Sequence, residues 1–237
     1  MRINVHAGHN PAGKVACGAV GLIQESVEDR RVKDEVISQL RQLGHTVYDC
    51  TVDNGTGQKD VLRKIVQKCR LHEVDLDVSI HFNSCANDKS GNGKTTGVEV
   101  LVYSASSKAK VYAGKVCAAI ARLGFRNRGV KVNSSLYVLK NTKAPAMLVE
   151  CCFVDDKDDV KLYNYYEMAS AIVYGITGEK VSATSETAKA DAGEETNTGN
   201  PKSLYRVQVG AYGVKENAQA MADKLKKAGF DAAIVQA

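Results

Sequence analysis

The sequence predicts an α/β fold: a central twisted sheet, mostly parallel or mixed, with helices on both faces, followed by a linker and a small βαβ module. Three observations predict it. From residue 1 to 178, short apolar runs alternate with longer segments whose apolar residues recur at helical spacing. Residues 179–202 are then rich in Ser, Thr, Ala, Glu, Gly and Asn, with no large apolar residue beyond Val181, which is the composition of a flexible linker. Apolar patterning resumes after Pro201 in three short pieces.

Taken in order, Arg2–His6 reads as a strand entering a glycine-rich loop from Gly8 to Gly21. In Glu25–Leu43, the apolar residues Val32, Val36, Ile37, Leu40 and Leu43 share one helical face, and Gly44 stops the helix. His45–Thr51 is a strand, and Lys59–His72 is a helix with Val61, Leu62, Ile65, Val66 and Cys69 on one side. Asp77–Phe82 is a compact apolar strand, Lys89–Thr96 a polar loop, and Gly97–Tyr103 a further strand. Ser107–Leu123 is an amphipathic helix closed by Gly124. Leu136–Leu139 and Ala146–Cys152 read as two more strands, and Asp156–Ile176 as one last helix. In the tail, Leu204–Gly210, Val214–Ala228 and Asp231–Val235 read as strand, helix and strand. The expected units are therefore 1–178, a linker over 179–202, and 203–237.

Composition excludes several classes. Net charge is only +5, spread along the chain, too weak to argue for nucleic acid, although an anionic wall polymer fits. No apolar run is long enough for a membrane span. The seven cysteines lack C-x-x-C spacing, so zinc ribbons and redox motifs are not expected; reduced, mostly buried thiols are. After Met1-Arg2 only a short apolar stretch precedes His6. A signal peptide is therefore not expected, and synthesis in the cytoplasm is.

Three strands end in polar residues suited to chemistry: His6-Ala-Gly-His9-Asn10, Ser79-Ile-His81-Phe-Asn83, and Leu148-Val-Glu150-Cys151. Sites in open α/β sheets form outside the carboxyl ends of strands, so these ends can converge. Glu25, at the first helical turn, is a fourth candidate. Two imidazoles and a carboxylate form a zinc set that leaves a position open, and a further carboxylate supplies a general base. Spacing alone does not select the set, because the intervals of 16, 56 and 69 residues are far too long for a local metal motif. Glu150 stands apart, since a carboxylate ending the apolar run Ala146–Val149 is costly to desolvate unless it is used.

Together, Ala-Gly-His9, Gly-Leu-Ile-Gln-Glu25-Ser, Ser-Ile-His81-Phe-Asn and Pro-Ala-Met-Leu-Val-Glu150 resemble the zinc-dependent N-acetylmuramoyl-L-alanine amidases of type 3. Thr96-Gly-Val-Glu-Val, Asn127-Arg-Gly-Val-Lys and Leu136-Tyr-Val-Leu-Lys-Asn-Thr support the likeness, which covers 1–178. The resemblance implies Zn2+ held by His9, Glu25 and His81, with Glu150 as the catalytic carboxylate. It implies cleavage of the amide between N-acetylmuramic acid and L-alanine in peptidoglycan, by a phage lysin or an autolysin acting on the wall after release. Cys151-Cys152 depart from the small residues usual after that glutamate, and are expected to be buried structural thiols. His6 competes with His9 for the ligand position, and the resemblance favours His9. Asn10, Asn83 and Lys140 are secondary candidates, Lys140 for an anionic stem peptide.

The tail is similar to the sporulation-related (SPOR) repeat through Tyr205-Arg-Val-Gln-Val-Gly-Ala-Tyr, Ala218, Leu225 and Gly229-Phe230. That likeness covers about half a module and implies binding to denuded glycan strands; a packing appendage is the alternative. Alternatives for the whole chain are another zinc peptidase or amidohydrolase, and a non-catalytic wall-binding protein.

Overall fold

The computed structural model describes residues 1–181, together with Gln219, Ala222, Asp223 and Ile234. Six strands, β1 (Arg2–Ala7), β2 (Thr46–Asp49), β3 (Leu76–Asn83), β4 (Val98–Val102), β5 (Asn127–Val132) and β6 (Ala146–Phe153), form one sheet. Their order is β2-β1-β3-β6-β4-β5. All neighbours run parallel except β4 and β6, which are antiparallel, so the sheet is mixed.

Alternation along the central strands sorts two faces. Ile3, Val5, Val78, Ile80, Phe82, Met147 and Val149 join the main core with helices α1 (Glu25–Gln42), α3 (Lys110–Ala121) and α6 (Tyr165–Thr177). The opposite face receives α2 (Gln58–Cys69) and α4 (Tyr137–Asn141), through Val61, Ile65, Val66 and Val138 in one cluster and Leu139 on Leu148 in another. That second face is unusually polar in its buried layer. Asn4 Nδ2 donates to Asp77 Oδ1 at 2.7 Å and to the Cys69 carbonyl at 3.0 Å. Burial pushes the Asp77 carboxyl up to about 6 despite the Asn4 hydrogen bond.

Local chemistry accounts for the element ends. Gly44 at φ 80° ends the first helical segment, and its N–H returns to the Arg41 carbonyl. Asp156 caps α5 (Lys157–Leu162) by accepting from Asp158 and Asp159 N–H, and Asn164 caps α6 through Tyr166 and Glu167 N–H. The single helix expected over Asp156–Ile176 is thus two. The apolar spacing runs through the join, but Asn164 offers its side chain to a new first turn, and Tyr163 and Asn164 stay extended.

The expected strand at Leu136–Leu139 is instead part of helix α4. Four residues carry too little periodicity to separate the two states. Here Val138 and Leu139 are both buried, each in a different cluster under the sheet. Strand β5 was not expected at all, because an edge strand reading Asn-Arg-Gly-Val-Lys-Val has no apolar face to betray it.

The chain divides into two units, Met1–Glu186 and Thr187–Ala237. In the second, Gln219, Ala222 and Asp223 are helical, Ala222 is buried, and Gln219 Nε2 donates to Asp223 Oδ1. The remaining readings for 182–237, the linker and the strand–helix–strand tail, lie outside the described residues.

Candidate active site

The carboxyl ends of β1, β3 and β6 lie side by side, and the residues that follow them meet at one place. His9 comes from the loop after β1, Glu25 from the first position of α1, and His81 from β3 itself. Their donor atoms all lie within 4.8 Å of one another. His9 Nε2 is 3.2 Å and His81 Nδ1 3.0 Å from Glu25 Oε1, and the two imidazoles meet edge to face at 4.9 Å. Of the two histidines that competed for the first position, His9 is in this set and His6 is not. His6 lies wholly buried, with Nδ1 against the Ala7 carbonyl and Ser79 Oγ. Burial lowers its pKa to about 4, so it is a neutral packing group.

The backbone around the cluster leaves it little freedom. Glu25 Oε2 accepts from Ala19 N–H at 2.7 Å, and Oε1 from Phe82 N–H at 3.1 Å. Gly8 lies flat against the His81 ring: a Cβ there would sit 1.8 Å from Cε1. Asn10 is a loop fastener and not a site group, donating to the Val15 and Gly55 carbonyls and accepting from Gly55 N–H. Arg30 holds the His9 carbonyl at 2.8 Å.

Burial alone would raise the Glu25 pKa, but hydrogen bonds and charge from His81 and His9 bring it well below the usual carboxylate range. Burial opposes protonation of both imidazoles; at His9 the Glu25 carboxylate prevails and the pKa rises, while at His81 burial prevails and it falls. The donor set fits zinc. Two imidazoles and a carboxylate are ordinary zinc ligands, and ligands about 2.0–2.1 Å from a tetrahedral ion stand about 3.3–3.5 Å apart, close to the two His–Glu separations.

Glu150 on β6 pairs in register with His81 on β3. Its Oε2 is buried and has no hydrogen-bond partner among the described residues. Burial, then the charges of Glu25 and Glu99, push this carboxyl up to about 8. On the other side of β6, Glu150 pairs with Glu99 of β4. Glu99 accepts from Asn83 Nδ2 at 3.0 Å and from Arg128 Nε at 2.8 Å. Glu99 and Arg128 were not singled out as site residues in the sequence. Two opposite charges 29 positions apart carry no signal until strand register is known.

Two residues of β6, Cys151 and Cys152, oppose Phe82 alone on β3, as in a β-bulge. Both thiols are wholly buried, burial drives their pKa values upward, and neither belongs to the donor cluster. Asp155 accepts from Cys85, Ala86 and Asn87 N–H, Asp158 from Asn92 and Gly93, and Asp159 from Gly97 and Phe153. These carboxylates fix the loop from β3 to β4 beside the site. Lys140 is exposed on α4 and makes no side-chain hydrogen bond among the described residues. His45 stands before β2 against the N-terminal amine, and His72 stacks on Tyr48, both away from the cluster.

The profile of the N-acetylmuramoyl-L-alanine amidase family matches residues 3–178, and that of the SPOR domain matches 183–236. The second match begins inside the segment read as linker. An uncharacterized protein of Clostridium perfringens is 37% identical over 69% of this chain and 47% of its own length. The N-acetylmuramoyl-L-alanine amidase CwlM of Bacillus licheniformis is 30% identical over 68% of this chain and 57% of its own. This chain therefore spans about half the length of such relatives. Among solved structures, the catalytic domain of the CD27L endolysin targeting Clostridia Difficile superposes with a TM-score of 0.67 at 26% identity, covering 77% of this chain and 99% of that one.

Proposed function

The chain belongs to the N-acetylmuramoyl-L-alanine amidase family, and on that premise we propose that it hydrolyses the amide joining the lactyl group of N-acetylmuramic acid to L-alanine in peptidoglycan. The observation that carries this reading is the convergence of His9, Glu25 and His81 beside an unpartnered Glu150 oxygen at the carboxyl end of the sheet. Under it, His9, Glu25 and His81 hold zinc. When bound, zinc supplies Lewis acidity toward the scissile carbonyl and acidifies water.

The chain's own residues then have distinct tasks. Ala19 and Phe82 N–H fix the Glu25 carboxylate, so its oxygens are oriented before any cation arrives. Gly8 leaves the room that the His81 ring occupies, and Arg30 positions the loop carrying His9. Glu150 receives a proton from water as the carbonyl carbon is attacked, and passes it to the departing alanine nitrogen. An oxygen with no hydrogen bond among the described residues is free for that transfer.

The tail match supports a second element of the proposal: the SPOR domain over residues 183–236 holds denuded glycan strands and keeps the enzyme on the wall. Under this reading the enzyme works on the bacterial wall, as lysin or autolysin. No helix among the described residues is long and apolar enough to cross a membrane. Mass spectrometry of digested walls is the test. New free N-terminal L-alanine with intact muramic acid supports the proposal, whereas cleavage at any other bond overturns it.

A further inference from the structure

We propose that Arg128 docks a carboxylate carried two or three residues beyond the scissile amide, so that the site selects acidic peptides. The inference rests on the amidase reading above and adds a specificity residue to it.

His81, Glu150, Glu99 and Arg128 follow one another across β3, β6, β4 and β5. Of these four, Arg128 alone carries a permanent positive charge. Its guanidinium is held from two sides, by Nε donating to Glu99 Oε2 at 2.8 Å and by the Phe153 ring 5.0 Å below. Phe153 pairs with Asn83 in register, and Asn83 holds the other Glu99 oxygen, so the same three side chains fix both partners. Yet the Arg128 side chain is 31% exposed, and neither terminal amino group has a hydrogen bond among the described residues. Arg30 is the contrast: both of its terminal nitrogens are engaged, by the Ser26 and His9 carbonyls and by Asp29 and Asp53.

A guanidinium pinned at Nε with its two terminal nitrogens open is a preformed fork for a carboxylate. Reach fixes where that carboxylate lies. Neighbouring strands are about 4.8 Å apart, so Arg128 stands about 10 Å from Glu150, the length of two or three extended residues. Glu99 makes the approach acidic, and an anionic peptide needs a cation there to offset it.

The test compares muramyl-peptides that differ only in a free carboxylate or its carboxamide, placed on the second or the third residue. With the intact protein, kcat/KM should favour the carboxylate about tenfold or more at one of the two positions, mainly through KM. That ratio should collapse toward one in Arg128→Gln and stay partly above one in Arg128→Lys, which keeps charge but loses the fork. Calorimetric titration of the same pairs into Glu150→Gln gives the ratio of Kd values without turnover, and should show the same preference. Should Arg128→Gln not fold, Arg128→Lys carries the test. An unchanged ratio in Arg128→Lys or Arg128→Gln, or no preference in the parent, overturns the inference while leaving the amidase reading intact. Failure to cleave either the peptides or walls at the muramyl amide removes the amidase reading itself.

Discussion

Replacing Glu150 by glutamine in metal-free protein should flatten, by the share that Glu150 contributes, a pH dependence of stability that the wild type shows between about pH 5 and 8. Glu150 is carried from its ordinary 4.5 to about 8 by burial and by the charges of Glu25 and Glu99. The folded state thus holds a proton that the unfolded chain has already released, and stability falls as pH rises through that window. At about 1.4 kcal/mol per pH unit the ceiling is roughly 5 kcal/mol, and water reaching this partly open site reduces it to a few. Asp29 and Asp77, raised by burial to about 7 and about 6, add slopes of the same sign, but both proteins share them. Chemical denaturation of the wild type and Glu150→Gln at pH 5, 6, 7 and 8 isolates the difference. The glutamine variant should gain on the wild type steadily toward pH 8. Zinc should narrow the gap, because a nearby cation favours the carboxylate. Parallel curves would show that Glu150 is not held neutral, and the desolvated site described for it would be wrong. The same variant should retain zinc and lose about 10²–10⁴-fold in wall hydrolysis, the ordinary range for a general base.

Further outcomes follow from the same geometry. Purified protein should carry about one zinc per chain, and elemental analysis should show most of it lost in His9→Ala and His81→Ala; full retention in both would remove these residues from the metal site. Gly8→Ala should lose zinc and activity while keeping most of its circular dichroism, because the added Cβ, 1.8 Å from His81 Cε1, forces the imidazole aside; a variant with normal metal content would contradict the placement of that ring. Cutting after Gly178 should leave hydrolysis of a small muramyl-peptide nearly unchanged and reduce activity on intact walls, where tethering raises local concentration; equal activity on both substrates would make the tail an appendage, and loss on the small one would make it part of the catalytic fold.

What was legible in the sequence depended on burial. Strands β1, β3 and β6 are central, so their apolar runs are continuous, and His6, His9, His81 and Glu150 stand out as polar interruptions at or just beyond their ends. Their grouping was not legible from spacing, since the intervals exceed any local motif, and resemblance chose among the candidates. Edge and cap elements were harder. Strand β5 presents half-exposed Arg128, Gly129 and Val130, with no alternation deep enough to read. Helix α4 is a single turn whose Val138 and Leu139 serve different clusters, so four residues looked like strand.

The deeper loss was strand direction. Periodicity is the same whichever way a strand runs, and β4 and β5 run opposite to the neighbouring β6. Had they run parallel to it, Glu99 and Arg128, which lie near the beginnings of their strands, would stand at the far edge of the sheet. Reversal brings those beginnings to the edge where β1, β3 and β6 end, and so places Glu99 opposite Glu150 and Arg128 beside Glu99. The central parallel strands, with the loop and helix that follow β1, thus carry the metal-type donors and the proposed base, while the reversed pair carries the flanking charges. A one-residue slip between β4 and β6 would turn Glu99 to the apolar core face that Val98, Val100 and Val102 occupy. The register is therefore held by that apolar face together with the Asn83 and Arg128 contacts of Glu99.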